Sequence, residues 1–169
     1  MMKINVVQPK TNVGKAYIFS FTTSAEELDI NVSQYTIDGN VDIKGEVLYT
    51  GTCFRISGDI SFTKSFQCDR CLEYFSQKQM LSFLEECKAE VSDEDVGEEV
   101  ICFSGNEVDI ANLIRETILL SQPLNNICSP DCRGLCLKCG ANLNDEECGC
   151  DRHIVDPRLA ALQKLLNKR

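Results

Sequence analysis

The 169-residue chain has no tryptophan, one histidine and only 7% aromatic residues. A single histidine argues against ordinary acid–base catalysis, against a Cys–His nucleophile and against metal centres built from several imidazoles. A glycine-rich phosphate loop, a metalloprotease helix motif and a serine elbow are all missing from the sequence. No stretch approaches the roughly 20 apolar residues that a spanning helix needs, and the opening MMKINVVQPK has no apolar run of secretory length. These features imply a cytoplasmic, bacterial-type protein with no membrane and no small-molecule substrate. Positive charge is scarce as well: 17 basic residues face 26 acidic ones, for a net charge of −9. Such a chain is not drawn non-specifically to phosphate backbones, which need clustered Lys and Arg.

Cysteine is what the chain has in excess, with eleven residues. Six of them fall in the 23 residues CSPDCRGLCLKCGANLNDEECGC, from Cys128 to Cys150, and a separate pair, Cys68 and Cys71, stands in QCDRCLEY. In a reducing compartment such clusters imply metal sites rather than disulfides. Zn²⁺ takes four thiolates in a tetrahedron, so these eight would fill two closed sites. Cys136-Leu-Lys-Cys139-Gly has the form of a zinc knuckle, in which Gly140 can take the positive φ that folds the loop back toward sulfur. Its nearest completing pair is Cys148 and Cys150. That leaves Cys68, Cys71, Cys128 and Cys132 for the other site. Either Cys128 or Cys132 could instead join the knuckle, and His153 lies at a spacing compatible with ligation. Cys68 and Cys71 could also be a free surface pair, or a redox dithiol with Arg70 lowering a thiolate pKa. The redox reading requires the pair to open a helix beside a parallel sheet. Cys53, Cys87 and Cys102 sit on predicted strands as small core residues.

Period-two alternation predicts strands over KINVV, 15–22, 41–50 and 53–66, with Val41, Ile43, Gly45, Val47 and Tyr49 on one face. Gly51 and Thr52 predict a tight hairpin, and Gly58 a bulge or bend. The segment 72–91 reads as long strand, and 98–110 as a hairpin turning at Ser104-Gly105-Asn106. Two helices follow. One is capped by Asp109 and starts at Ile110, with Leu113, Ile114, Thr117 and Ile118 on its stripe; the other begins at Asp156-Pro157 and carries Leu159, Leu162, Leu165 and Leu166. The expected fold is α+β: an antiparallel sheet or partly open barrel with two helices and a C-terminal zinc-binding segment. Residues 1–127 form a β-rich domain ending in a helix, and 128–169 form a zinc-binding tail packed on it. Residues 85–99 carry eight acids and one lysine, a solvated segment or a surface for a basic partner.

The runs QCDRCLEYF, VDIANLIRETILLSQPLNNIC and DCRGLCLKCGANLN, followed by CGC and DPRLAAL, resemble the YceD-like family of large ribosomal RNA accumulation proteins. The resemblance covers roughly the last hundred residues in consistent order. It implies a non-enzymatic role in the synthesis, processing or stability of large-subunit rRNA in bacteria and plastids. Members that lack the C-terminal knuckle but keep the upstream CxxC imply two separable sites. Partners would be large-subunit rRNA or a pre-ribosomal particle, and two modes of contact fit. A cationic tail of Arg133, Lys138, Arg152, Arg158, Lys164, Lys168 and Arg169 would bind RNA directly. Alternatively, the acidic segment would bind a basic ribosomal protein or assembly factor.

Overall fold

A computed structural model describes residues 2–30, 35–88, 101–103 and 105–151. The chain divides into two compact units: residues 1–67 with 74–126, and residues 68–73 with 127–169.

The first unit holds β1 (Lys3–Asn5), α1 (Val7–Thr11), β2 (Ala16–Ser24), β3 (Tyr35–Tyr49), β4 (Phe54–Gln67), β5 (Tyr74–Lys88), β6 (Ile101–Cys102), β7 (Glu107–Asp109) and α2 (Ala111–Leu120). Five strands form an open sheet in the order β2-β3-β4-β5-β6, and β1 and β7 form a separate antiparallel pair. The long strands follow the period-two pattern. On β4, Phe54, Ile56, Ile60, Phe62, Lys64 and Phe66 are buried, and the odd-numbered side chains face the other way. Val41, Ile43 and Val47 of β3 join the same core, together with Ile110, Ile114 and Ile118 at the head and along one stripe of α2. Ile114 is fully buried, so Ile114→Val is expected to cost about 1 kcal/mol in denaturant unfolding, the usual result of deleting one buried methyl group.

Lys64 is the buried charged residue among those described. Its ammonium lies 4.1 Å from the Tyr35 ring centroid and 4.9 Å from that of Phe66, and it donates to the Gln122 side-chain carbonyl. Burial lowers its pKa from the usual lysine value.

Several expectations need correction. Gly58 makes no bulge: it pairs directly with Gly45 in unbroken register, and the irregularity of β3–β4 falls between Asp38 and Asp42 instead. The paired glycines allow the rings of Phe19 and Phe83 to lie against bare backbone. Among the described residues of 98–110 there is no hairpin, because β6 runs parallel to β5 while β7 pairs with β1. Val108 is buried in the β1–β7 pair, and the Asn106 carbonyl accepts from Val6 N–H at 3.0 Å. The opening strand stops at Asn5, whose side-chain oxygen accepts from Val7 N–H at 3.0 Å, and the short α1 follows. Helix α2 begins one residue later than predicted, at Ala111, whose N–H donates to Asp109 Oδ1 at 3.0 Å. The turn at Gly51 is as expected: Thr50 N–H donates to Cys53 carbonyl oxygen at 2.9 Å, and Gly51 has φ +103°. The helix predicted from Pro157 lies outside the described residues. Among the described residues no helix is long and apolar enough to cross a membrane.

Candidate metal centres

Both candidate sites belong to the second unit, so each can be built from that unit alone. Residues 68–73 form the connection between β4 and β5, closed by Cys68 N–H donating to Glu73 carbonyl oxygen and Leu72 N–H donating to Cys68 carbonyl oxygen, both at 2.9 Å. Leu72 takes a left-handed φ of +62° to complete the turn. Further along, Leu143 N–H donates to Gly134 carbonyl oxygen at 2.9 Å, and Cys136 N–H to Ala141 carbonyl oxygen at 2.8 Å. Leu135 bridges to Asn142, which makes residues 134–143 a small hairpin around the knuckle. Gly140 has φ +76°, as the knuckle requires.

The first group joins Cys68, Cys71, Cys128 and Cys132, and the second joins Cys136, Cys139, Cys148 and Cys150. Within each, the four sulfurs lie within 4.8 Å of one another. Cys68 Sγ is 3.9 Å from Cys132 Sγ, and Cys71 Sγ is 3.7 Å from Cys128 Sγ. A tetrahedron of Zn–S bonds near 2.3 Å has edges of about 3.8 Å, so this spacing fits a tetrahedral ion. It does not fit a disulfide, whose S–S bond is about 2.0 Å, and the described cysteines are free.

Backbone donors surround the sulfurs. Arg70 and Cys128 each direct an N–H at Cys68 Sγ from 3.4 Å. Burial opposes ionisation of Cys68, yet N–H groups of Cys128, Cys71 and Arg70 outweigh it and hold the thiol at about 6. Cys136 is held at about 6 by the N–H groups of Cys139 and Lys138 and by the Cys148 side chain. Their neighbours move the opposite way. Desolvation and the other three sulfurs push Cys128 up to about 12, and contacts with Cys139 and Cys148 push Cys150 up to about 12. Four sulfurs this close would all ionise only with a cation among them, and each group could hold a metal ion. Four sulfurs around one tetrahedral ion would leave no position for a reacting water.

Two supporting residues have no advance signal of this role in the sequence. Asn144 donates its amide to Cys132 Sγ at 3.5 Å and accepts from Arg133 N–H at 2.7 Å, and its contact is the largest influence lowering the Cys132 thiol. Arg70, read above only as a neighbour of a redox pair, donates to Cys132 carbonyl oxygen at 3.0 Å. Its own carbonyl accepts from Leu135 N–H at 3.1 Å and lies 3.0 Å from where a side chain on Gly134 would begin. Asn144 and Arg70 therefore clamp the second half of the first cage from outside, as partners of metal ligands commonly do.

Cys68 and Cys71 lie in a turn between antiparallel strands, without the helix that a redox pair would open. Cys53 and Cys87 are buried in the first unit and belong to neither four-cysteine group. The Cys102 side chain, His153, Arg152, Arg158, Lys164, Lys168 and Arg169 lie outside the described residues, as does most of the acidic run 85–99. Arg133 is ion-paired with Glu147 at 2.9 Å, and Lys138 is exposed on the knuckle.

The family model for the large ribosomal RNA subunit accumulation protein YceD matches residues 56–166, more than half of the chain. Among curated proteins, the chain is similar to the chloroplastic large ribosomal RNA subunit accumulation protein YCED homolog 1 of Arabidopsis thaliana. The two are 42% identical over 59 residues, 35% of this chain and 18% of that protein. The Zea mays protein of the same name is 51% identical over 45 residues, 26% of this chain and 15% of that protein. An uncharacterized protein of Mycobacterium tuberculosis is 26% identical over 133 residues, 75% of this chain and 61% of that protein. The chain thus spans less than a fifth of the plant relatives and under two thirds of the mycobacterial one. No solved structure matches it. Two four-cysteine groups in their expected places, and a family match that runs through both of them, lead to one assignment: the chain belongs to the YceD family of large ribosomal RNA subunit accumulation proteins.

Proposed function

We propose that this protein is a non-enzymatic zinc-binding factor that supports the synthesis, processing or stability of large-subunit rRNA. The observation that carries the proposal is the closure of both cages. Four sulfurs within 4.8 Å of one another would hold an ion in a saturated tetrahedron, which gives architecture rather than a Lewis acid with a free position. Tetrahedral sulfur selects Zn²⁺ or iron, and with no redox demand on the site Zn²⁺ is the assignment. The family supplies the pathway. Depleting the protein in its own cell is expected to lower large-subunit rRNA relative to small-subunit rRNA. An unchanged ratio under full depletion would refute the proposal.

One observation favours a protein partner over bare RNA. Around the cages, Asp69, Glu73, Asp131, Asp145, Glu146, Glu147 and Asp151 outnumber Arg70, Arg133 and Lys138. Arg133 is already paired with Glu147, and Arg70 is turned to the Cys132 carbonyl. Each all-thiolate cage around a divalent ion adds further negative charge. The part of the unit described here is therefore suited to a basic ribosomal protein or assembly factor. Purified protein is expected not to retard large-subunit rRNA fragments at low salt, and to capture a basic ribosomal protein with affinity that weakens as salt rises. Retardation with a log-affinity slope of about −0.7 to −0.9 per phosphate contact would establish direct RNA binding instead.

A further inference from the structure

We infer, on the reading that the first cage holds a divalent ion, that the cavity beside it is the port through which that ion exchanges. Glu73, Asp131 and Asp145 collect an incoming cation there and pass it to the sulfurs. The cavity measures about 320 Å³, opens to solvent and belongs wholly to the second unit. Its wall includes Cys71, Cys128 and Cys132, three of the four residues of the first cage. Cys68 is not part of the wall. It is fully buried, with the N–H groups of Arg70 and Cys128 directed at its sulfur from 3.4 Å. The Arg70 guanidinium also closes the backbone side of Cys132, at 3.0 Å from its carbonyl oxygen. Of the four cage cysteines only Cys128 is exposed. An ion that enters or leaves the folded cage therefore passes Cys128, from the cavity.

Charge selects what the cavity takes. Glu73, Asp131 and Asp145 line it, and no lysine, arginine or histidine does. None of the three has a cationic partner among the described residues, in contrast to Glu147, which is paired with Arg133. An acidic rim alone would mark only a solvated surface. Here the wall behind it is a set of sulfurs spaced for a tetrahedral cation. A cleft lined by one sign of charge raises the local concentration of the opposite ion and its rate of entry.

Size agrees with charge. A divalent ion with about six waters, at about 30 Å³ each, needs roughly 180 Å³, so the cavity admits it with its shell. Cys128 is then the first ligand to change hands: its bond to the outgoing ion breaks as one to the incoming ion forms. The other thiolates follow, and water shed by the incoming ion is replaced by water taken up by the outgoing one. One divalent ion leaves for each that arrives, so the exchange needs no proton, electron or co-reactant.

The test mixes the zinc-loaded full chain with Cd²⁺ in sodium perchlorate and follows sulfur-to-cadmium absorption. Two exchange phases are expected, one per cage, and Cys136→Ser removes the phase of the second. Joint neutralisation by Glu73→Gln, Asp131→Asn and Asp145→Asn is expected to slow the first-cage phase about tenfold at low ionic strength, and each single change about twofold. At about 1 M salt, where the Debye length is about 3 Å, the difference should nearly vanish. Ser129 also lines the cavity, and Ser129→Trp fills it without changing charge. That variant is expected to slow the same phase at both salt concentrations, because bulk is not screened. Both variants should keep their zinc. A charge variant that exchanges at the parent rate while holding both ions overturns the inference. So does a slowing shared by the two phases, which would report overall charge rather than a port, or a loss of zinc, which would make these carboxylates structural. A parent chain that holds no metal refutes the metal reading and the port together, whereas an unaltered exchange rate refutes the port alone.

Discussion

Purified protein carrying Cys68→Ser is expected to retain one equivalent of metal instead of two, and Cys136→Ser is expected to lose the other. The two ligand sets are separate in space, each complete without the other, so the losses should be independent and the double variant metal-free. The energetic effect is the largest this chain offers. A structural zinc contributes on the order of 10–16 kcal/mol of apparent binding energy in small domains, more than the whole stability of many folds. The second unit has few alternatives to the ions: its described apolar side chains beyond cysteine include one deeply buried residue, Leu143, while Leu137 and Leu72 are exposed. Loss of the first ion should therefore release residues 68–73 and 127–135 to rapid hydrogen exchange, and leave β3, β4 and α2 protected. Elemental analysis checks the stoichiometry. If either substitution leaves it unchanged, the ligand sets are wrong.

The second large effect is expected at Gly58. A side chain there meets the Lys44 carbonyl oxygen, the Gly45 Cα at 2.7 Å and the Phe83 ring at 3.0 Å. Two of those contacts are backbone of the neighbouring strand and cannot move aside without breaking the β3–β4 ladder. Gly58→Val is expected to cost about 3 kcal/mol or more, as overpacking of a tight core does, and to lower Tm by roughly 10 °C for a chain of this size. Ser57→Ala, one residue away on the outer face, should stay within about 0.5 kcal/mol. A Gly58→Val protein as stable as the parent would mean that the sheet can open at this point.

Local chemistry explains why some features could be read in advance. The long strands announce themselves through side-chain alternation, and α2 through Ile114 and Ile118, one turn apart. The grouping of the cysteines was accessible because they come in close pairs and a tetrahedral ion takes two pairs, whereas the clamp by Asn144 and Arg70 depends on how two distant segments meet. Gly58 was misread for the same reason. A glycine in a strand signals either a bulge or a close approach, and only the facing Gly45, set by register, decides between them. The pattern of 98–110 resembles a hairpin, but Val108 finds its apolar partners beside Ile4, far away in sequence. Helix α1 is too short for periodicity to reveal, and it rests on the turn made by Asn5.

The two cages differ in how far along the chain their ligands lie. Cys136 to Cys150 are near neighbours, whereas Cys68 and Cys132 are 64 positions apart, and Cys71 and Cys128 are 57 apart. A nascent polypeptide growing at about 5–20 residues per second would expose the upstream pair for several seconds before its counterparts emerged. During translation the upstream thiols must wait, able to hold an ion only partially or to be intercepted by an oxidant, and the downstream cage has no such delay. Vulnerability to metal shortage or oxidative stress should therefore concentrate in newly made molecules, at Cys68 and Cys71, rather than in the mature pool.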